Sequence, residues 1–394
     1  MKTVVVLGGA GAMGQIIVRD LAQFSQFDQI RIADFDREKA QNLAASSKDK
    51  RVQSTFADLK DKKSLQEALA GAALVINSTP YYFNVEVMRS ALACGCHYMD
   101  LGGLFHVTRQ QLELHDEFAS KGLLAVLGMG AAPGLTNVMA AAAALELERV
   151  HSIDIVIGCI DFSKTNHPFA PPYALDTILD EYSLPPMVFE GYEFTAKEPM
   201  SGEVVTDFPA PVGQVKAIYT LHSEVATLPN SYSMKGIERV TFRLGLPLEF
   251  HERLKFLIEL GFGKNELVGW GESAFHPRKV LAAMIQQLPQ PQAVVDDCEV
   301  IRVDVGGANE GQEKTVRLEA IVKSDSAGNV SSGALDTGVP PSIVAQMILD
   351  GTIARKGVLA PENCIPHSQL FQQLEKRNIK VTSTHLAKTK ATVN

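Results

Sequence analysis

Val4-Val5-Val6-Leu7, Gly9-Ala10-Gly11-Ala12-Met13-Gly14 and Ile30-Arg31-Ile32-Ala33-Asp34 are the stretches that decide the fold. They read as a strand, a glycine loop opening a helix, and a second strand ending in an acid. Met13, Ile16, Ile17, Leu21 and Phe24 recur at helical spacing behind the loop, which marks an amphipathic helix. Each glycine has a separate task in gripping a dinucleotide. Gly9 permits the tight turn, Gly11 lets the backbone approach a pyrophosphate, and Gly14 lets helix and strand pack closely. Ala12 and Met13 lie at the helix N-terminus, where unpaired N–H groups and a partial positive charge suit phosphates. Asp34 lies twenty residues beyond Gly14. A carboxylate there can accept from both adenosine-ribose hydroxyls and repels a 2′-phosphate, which favours NAD. NADP stays possible because Arg37 could pair with that phosphate.

Working outward, strand and helix alternate to about residue 130. A helix over Arg37–Ser46 leads to a strand over Val52–Phe56 and then Asp58, placed to reach an adenine or to shape a turn. Ser64 and Glu67 read as a capping box before a short helix that Gly71 ends. Strands at 73–76, 97–100 and 123–127 follow, with helices from Asn84 to Gly95 and over Thr108–Lys121. This predicts an α/β chain: an N-terminal Rossmann-type, doubly wound parallel sheet, with ligands at the carboxyl ends of its strands. Those ends supply Asn77, Ser78, Thr79 and Pro80, then Gly102, then Pro133, as further cofactor-binding candidates. Asp100 ends an internal strand before Gly102-Gly103 and reads either as a proton carrier or as the aspartate that shapes that loop.

Past Gly130-Ala131-Ala132-Pro133-Gly134 the pattern changes. Ile153, Ile155 and Ile157 alternate, and further strands are expected over Val188–Phe194, Val212–His222, Arg239–Leu244, Val300–Val305 and Thr315–Val322. The last two flank 306–311 as a hairpin. Helices are expected over Tyr173–Tyr182, Leu248–Leu260 and Arg278–Leu288. This predicts an α+β second domain on a mainly antiparallel sheet. A helix is expected from Pro341 to Leu349, and the polar residues from Ser383 onward are expected to be mobile. Tyr81, His222 and Arg243 join Asp100 as catalytic candidates; Arg243 could grip a substrate carboxylate or sit in an internal salt bridge.

Composition excludes several classes. The chain has 394 residues, a net charge of −8 and no basic cluster, a poor basis for binding nucleic acid or an anionic membrane. No apolar run approaches the ~20 residues of a membrane span. Lys2 and the apolar stretch after it imitate a leader, but the glycines interrupt it. Five scattered cysteines suggest reduced thiols in a cytoplasm. Cys94-Gly95-Cys96-His97 lacks a second ligand pair, so no metal is expected.

The glycine motif, Asn77 with Tyr81-Tyr82-Phe83-Asn84, Tyr98-Met99-Asp100-Leu101-Gly102-Gly103 and Gly130 through Asn137 together resemble the saccharopine dehydrogenase family, most of all its lysine 6-dehydrogenase branch. His222 with Thr227-Leu228 and Ser231, Val240-Thr241-Phe242-Arg243, Pro277 through Leu281, and Gly357-Val358 with Pro361-Glu362 extend the resemblance over nearly the whole chain. It implies a cytoplasmic homodimer in amino-acid and lysine metabolism. Residues 1–130 would bind the dinucleotide and be rejoined by 338–394, and 131–337 would bind a small amino-acid or amine substrate and dimerise. It implies NAD(P)-linked oxidation of a C–N bond, with Asp100 stabilising an iminium and Arg243 fixing a carboxylate. Leu244-Gly245-Leu246-Pro247 and Ser223-Glu224-Val225-Ala226 depart from the pattern at the expected substrate pocket. The competing reading is a non-catalytic dinucleotide-binding protein whose second domain serves a partner.

Overall fold

The computed structural model describes residues 2–164, 167–271, 273–288 and 294–387. β1 (Thr3–Leu7), α1 (Ala12–Phe24), β2 (Gln29–Asp34), β3 (Val52–Phe56), β4 (Leu74–Asn77), β5 (His97–Asp100) and β6 (Leu124–Val126) build the first unit. Its seven-stranded sheet is parallel throughout, in the order Gly357–Leu359, β6, β5, β4, β1, β2, β3. The strand order reverses between β1 and β4, and a crevice opens there above the strand ends.

β7 (Arg149–Asp161) begins the second sheet, which has nine strands. The central neighbours are Arg239–Gly245, β7, Asp297–Asn309 and Gln312–Lys323; only the first of these pairs is parallel. Ile153, Ile155 and Ile157 are buried, as are Val240, Phe242 and Leu244 on one side and Val305, Val303 and Ile301 on the other. Period-2 alternation puts all nine on one inner face. That face, α1 and one face of the first sheet share a continuous apolar core. The other face of the first sheet is covered by helices at 62–69, 84–94 and 115–120.

Several elements depart from the sequence reading. The helix expected from Pro341 runs over Ser332–Leu349, with Ser331 accepting from Ala334 N at its start and Pro340 and Pro341 inside it. Proline removes a helical donor, but this helix is wedged between α1 and the second sheet, and burial of most of its residues outweighs the loss. The Ser64–Glu67 capping box does not form. The helix starts at Lys62, Asp61 caps Lys63 N, and Ser64 Oγ accepts from Asp58 N instead. The strand expected over Val188–Phe194 is a hairpin of Met187–Glu190 and Glu193–Ala196, turned by Gly191 and Tyr192 at positive φ. Thr108–Lys121 is two helices, Leu104–Leu112 and His115–Ser120. Gly306 and Gly307 lie inside a long strand rather than in its turn. A Cβ on Gly307 would stand 2.0 Å from Arg149 O, so glycine there permits close strand approach at a bulge.

The chain after Gly338 adds Gly357–Leu359 to the first sheet, as expected. It then leaves: Lys380–Ala387 pairs with Gln312–Lys323 in the second sheet. The tail from Ser383 is therefore ordered through Ala387, and 388–394 lie outside the described residues. Among the described residues no helix is long and apolar enough to cross a membrane.

Candidate active site

The glycine loop fits a dinucleotide. A Cβ on Gly14 would lie 2.3 Å from Gly8 O and 2.6 Å from Gly9 Cα, so only glycine allows α1 this close to the loop. Gly9 is also confined, 2.8 Å from Val6 O, and a Cβ on Gly11 would stand 3.1 Å from Gly8 O; no side chain caps the helix at Gly11. The first-turn N–H groups at Ala12 and Met13 thus face the crevice for phosphate oxygens. Asp34 accepts from Ala10 N (3.0 Å) and Asp36 N (2.9 Å), which ties the loop to the β2 end. Each oxygen keeps capacity for a ribose hydroxyl. Arg37 lies over Phe56, its Cζ 4.1 Å from the ring centroid. Asp58 accepts from Lys60 N (2.9 Å) as a turn residue.

The β4 end is internally braced. Asn77 Oδ1 accepts from Thr79 Oγ1 (2.6 Å), and Asn77 Nδ2 donates to Asn84 Oδ1 (2.9 Å). Ser78 Oγ donates to Leu7 O. Pro80 precedes the short turn Tyr81–Phe83. The Pro133 ring fills the gap between Gly102 and Gly128; a Cβ on either would come within 2.9 Å or 2.5 Å of it.

Asp100 is fully buried and shares the β5 face of Tyr98, away from the second unit. Oδ1 accepts from Gly102 N (2.9 Å) and Gly128 N (2.7 Å), and Oδ2 accepts from Tyr98 Oη (2.8 Å) and Gln111 Nε2 (2.5 Å). These four donors fill the acceptor sites of a carboxylate. Burial still lifts its pKa above the usual range, against the pull of those donors. The expected contact with a substrate iminium is therefore replaced by a positioning role: Asp100 holds two strand-end loops in register.

Arg243 also departs from expectation. Its neighbour Phe242 lies on the inner face, so Arg243 points outward. There it donates to Gly202 O (3.0 Å), Thr241 Oγ1 (3.1 Å) and Tyr219 Oη (2.6 Å) and stacks on the Tyr219 ring. It is a sheet-bracing arginine on the face opposite the cleft.

His222 is where the two units meet. Its ring stacks on Phe242, with centroids 3.6 Å apart and planes at 14°. Nδ1 is 3.1 Å from Glu224 Oε2, and Nε2 is 3.7 Å from Glu181 Oε1. Glu224 also accepts from Thr136 Oγ1 (2.8 Å), and Tyr173 donates to Glu181 Oε2. Burial pulls the imidazole toward neutrality, but Glu224 and Glu181 outweigh it and its pKa rises. Burial pushes Glu181 up to about 7, against the pull of His222 and the Tyr173 hydroxyl. The result is a buried acid–base group in which a carboxyl raised by burial stands beside an imidazole held toward its charged form. Three bonds lock it beneath the strand ends. Ser223 Oγ accepts from Gly103 N (3.3 Å) and donates to Leu104 O (3.2 Å), and Tyr81 donates to Asp180 Oδ2 (2.8 Å). Asp180 is held in turn by Arg278 (2.6 Å), which also donates to Gly263 O. Burial and Asp180 both raise the Tyr81 hydroxyl pKa.

Residues 4–126 match the family model for the saccharopine dehydrogenase NADP binding domain, and 130–379 match the saccharopine dehydrogenase C-terminal domain. The chain belongs to the saccharopine dehydrogenase family. Its cofactor is accordingly a nicotinamide dinucleotide, NAD(P). It is 24% identical over 381 residues to a carboxyaminopropylagmatine dehydrogenase of Synechocystis sp., covering 92% of this chain and 93% of the relative. It is also 24% identical over 389 residues to a carboxynorspermidine synthase of Vibrio cholerae, covering 91% of each. In fold it resembles the apo saccharopine dehydrogenase (L-Glu forming) of Saccharomyces cerevisiae, with a TM-score of 0.74, 19% identity and coverage of 98% of this chain and 100% of that one. A homospermidine synthase of Legionella pneumophila in complex with NAD gives 0.70 at 14% identity, covering 100% and 93%.

The sequence reading named His222 and Tyr81 as candidates but not Glu181, Glu224, Asp180, Tyr173 and Arg278, which the structure places beside them. Two signals were legible. Asp180-Glu181 interrupt the apolar side of a helix between Ile178-Leu179 and Tyr182, and Glu224 follows His222 at a spacing of two. Cys94-Gly95-Cys96-His97 is structural: Cys96 is buried with its thiol on Ala91 O, and His97 Nδ1 accepts from Leu124 N.

Proposed function

We propose that this protein is an NAD(P)-linked oxidoreductase that acts on a C–N bond of a cationic, carboxylated amine of the polyamine type. The observation that carries this reading is the buried His222–Glu181–Glu224 group set beneath the strand ends. Two carboxylates and an imidazole in a low-dielectric cleft favour an ammonium guest, and such a guest must lose a proton before its carbon can give up a hydride. His222 and Glu181 are the groups that take and return that proton. Glu224, anchored by Thr136, orients the imidazole and stabilises its charged form. Asp100 and Pro133 shape the loops over which the substrate sits. When bound, the cofactor supplies the hydride acceptor or donor; the protein supplies orientation and charge. The names of the Synechocystis and Vibrio relatives support a polyamine-type amine over lysine or saccharopine. Residues 1–130 serve the cofactor and 131–337 the substrate.

The deciding experiment incubates the protein with NAD or NADP and each of carboxynorspermidine, carboxyaminopropylagmatine, lysine and saccharopine, and follows absorbance of the reduced nicotinamide. Turnover with a carboxylated polyamine, and a lower KM for NAD than for NADP, is expected. Cofactor binding without reduction by any amine would overturn the reading in favour of a non-catalytic binder. A preference for NADP would remove the discriminating role of Asp34.

A further inference from the structure

The inner face of the second sheet changes character at one end. Ile153, Ile155 and Ile157 on β7 stand opposite Val305, Val303 and Ile301, but the next pair in register is Cys159 with Glu299. Cys159 donates to Glu299 Oε2 at 3.2 Å. Above Glu299 lies Asp336, in the Ser332–Leu349 helix and 0% exposed. The two carboxyl groups face each other within hydrogen-bonding reach, yet Asp336 Oδ2 has no donor. Asp336 Oδ1 accepts from Thr337 Oγ1 at 3.4 Å. Nearby Asp297 is already occupied with Ser332 N. Pro340 and Pro341 lack N–H groups, so the Asp336 and Thr337 carbonyls lose their helical donors and add acceptors to the same turn. Among the described residues no cationic side chain balances either carboxyl. Burial raises both pKa values; Glu299 pushes Asp336 up further, whereas the hydrogen bonds of Cys159 and Asp336 pull Glu299 down against its burial. Packing does not account for this: a fully buried Asp336 with an oxygen that meets no donor, set against the half-buried Glu299, costs stability unless something pairs with it.

The pair adjoins the His222 group through Cys159, which donates to Glu299 and lies near Tyr173, the donor to Glu181. Thr337 packs on Gly130, where a Cβ would meet its Cγ2 at 3.3 Å, so the pair adjoins the loop that carries Pro133. Glu299 lies two strands across and four residues along from Phe242, the platform for His222. That is roughly 16 Å by ordinary strand spacing and rise, about the length of an extended chain of a dozen bonds. We propose that Glu299 and Asp336 seat a cationic end group of the substrate, an ammonium or guanidinium at the far end of the chain whose C–N bond meets His222 and Glu181. This rests on the function proposed above and adds which substrates fit: those with a second, distal cation. A cation between the carboxyls lets both ionise and fills the orphaned acceptor.

Calorimetric titration of the protein, loaded with NAD(P), by spermidine and by butylamine tests this without turnover. Wild type is expected to bind spermidine at least tenfold more tightly. Glu299→Gln and Asp336→Asn, which keep side-chain shape, are expected to remove that advantage while NAD(P) affinity and butylamine affinity stay within twofold. Equal binding of the two amines by wild type, or variants that hold spermidine as tightly as wild type, would overturn the proposal. The wild-type comparison decides even if both variants fail to fold. Selective spermidine binding with no cofactor reduction in the amine panel would refute the oxidoreductase reading alone.

Discussion

His222 and Arg243 are both polar residues on or beside one strand, and the structure gives them opposite duties. His222 is stacked on Phe242 between Glu181 and Glu224, so His222→Gln should lower kcat/KM by about 10²–10⁴ with NAD(P) affinity unchanged. Arg243 reaches three neutral oxygens on the far face. Arg243→Met should therefore lower thermal stability while KM for the amine stays within twofold; a KM rise of tenfold or more would return Arg243 to the substrate site. Sequence could not separate the two, because strand parity depends on where the strand begins, and a shift of one residue exchanges the faces. Asp100 was legible as special and also as a loop-shaping aspartate. Its four donors decide for the loop.

At the scale of elements, local patterning located the first six strands because they are short apolar or alternating runs set between helical segments at regular intervals. It misplaced the start of the Ser332–Leu349 helix because two prolines mimic a helix start. Tertiary burial supports the turn before them. Gly338 is the close contact of that helix, where a Cβ would lie 2.7 Å from Ile16 Cβ. Gly338→Ala should push α1 and the helix apart, costing about 1–3 kcal/mol in denaturant melts and weakening NAD(P) binding, since α1 carries the phosphate loop. Unchanged melting and cofactor affinity would show that the helix pair is looser than this packing implies.

For the whole molecule, the buried acid–base group couples stability to pH. Glu181 folds with a pKa of about 7, above its ordinary 4.5, and that of His222 is also raised. A raised folded pKa contributes stability that is present at low pH and is lost as pH rises through the folded value. Stability should thus fall between about pH 4.5 and the neutral range, by up to about 3 kcal/mol from Glu181. Glu181→Gln should flatten that slope in urea melts at pH 5 and pH 8; an equal slope in the variant would assign the effect elsewhere. The residues alone determined the dinucleotide half, because strand, glycine loop, helix and acid follow one another in the chain and act through local backbone and the one Asp34 carboxylate. The proposed amine site rests on the tertiary structure alone. Glu181, Glu224, Glu299 and Asp336 come from four separate elements and His222 from the turn before one of them, and their chemistry exists only once the second sheet and the returning helix bring them together.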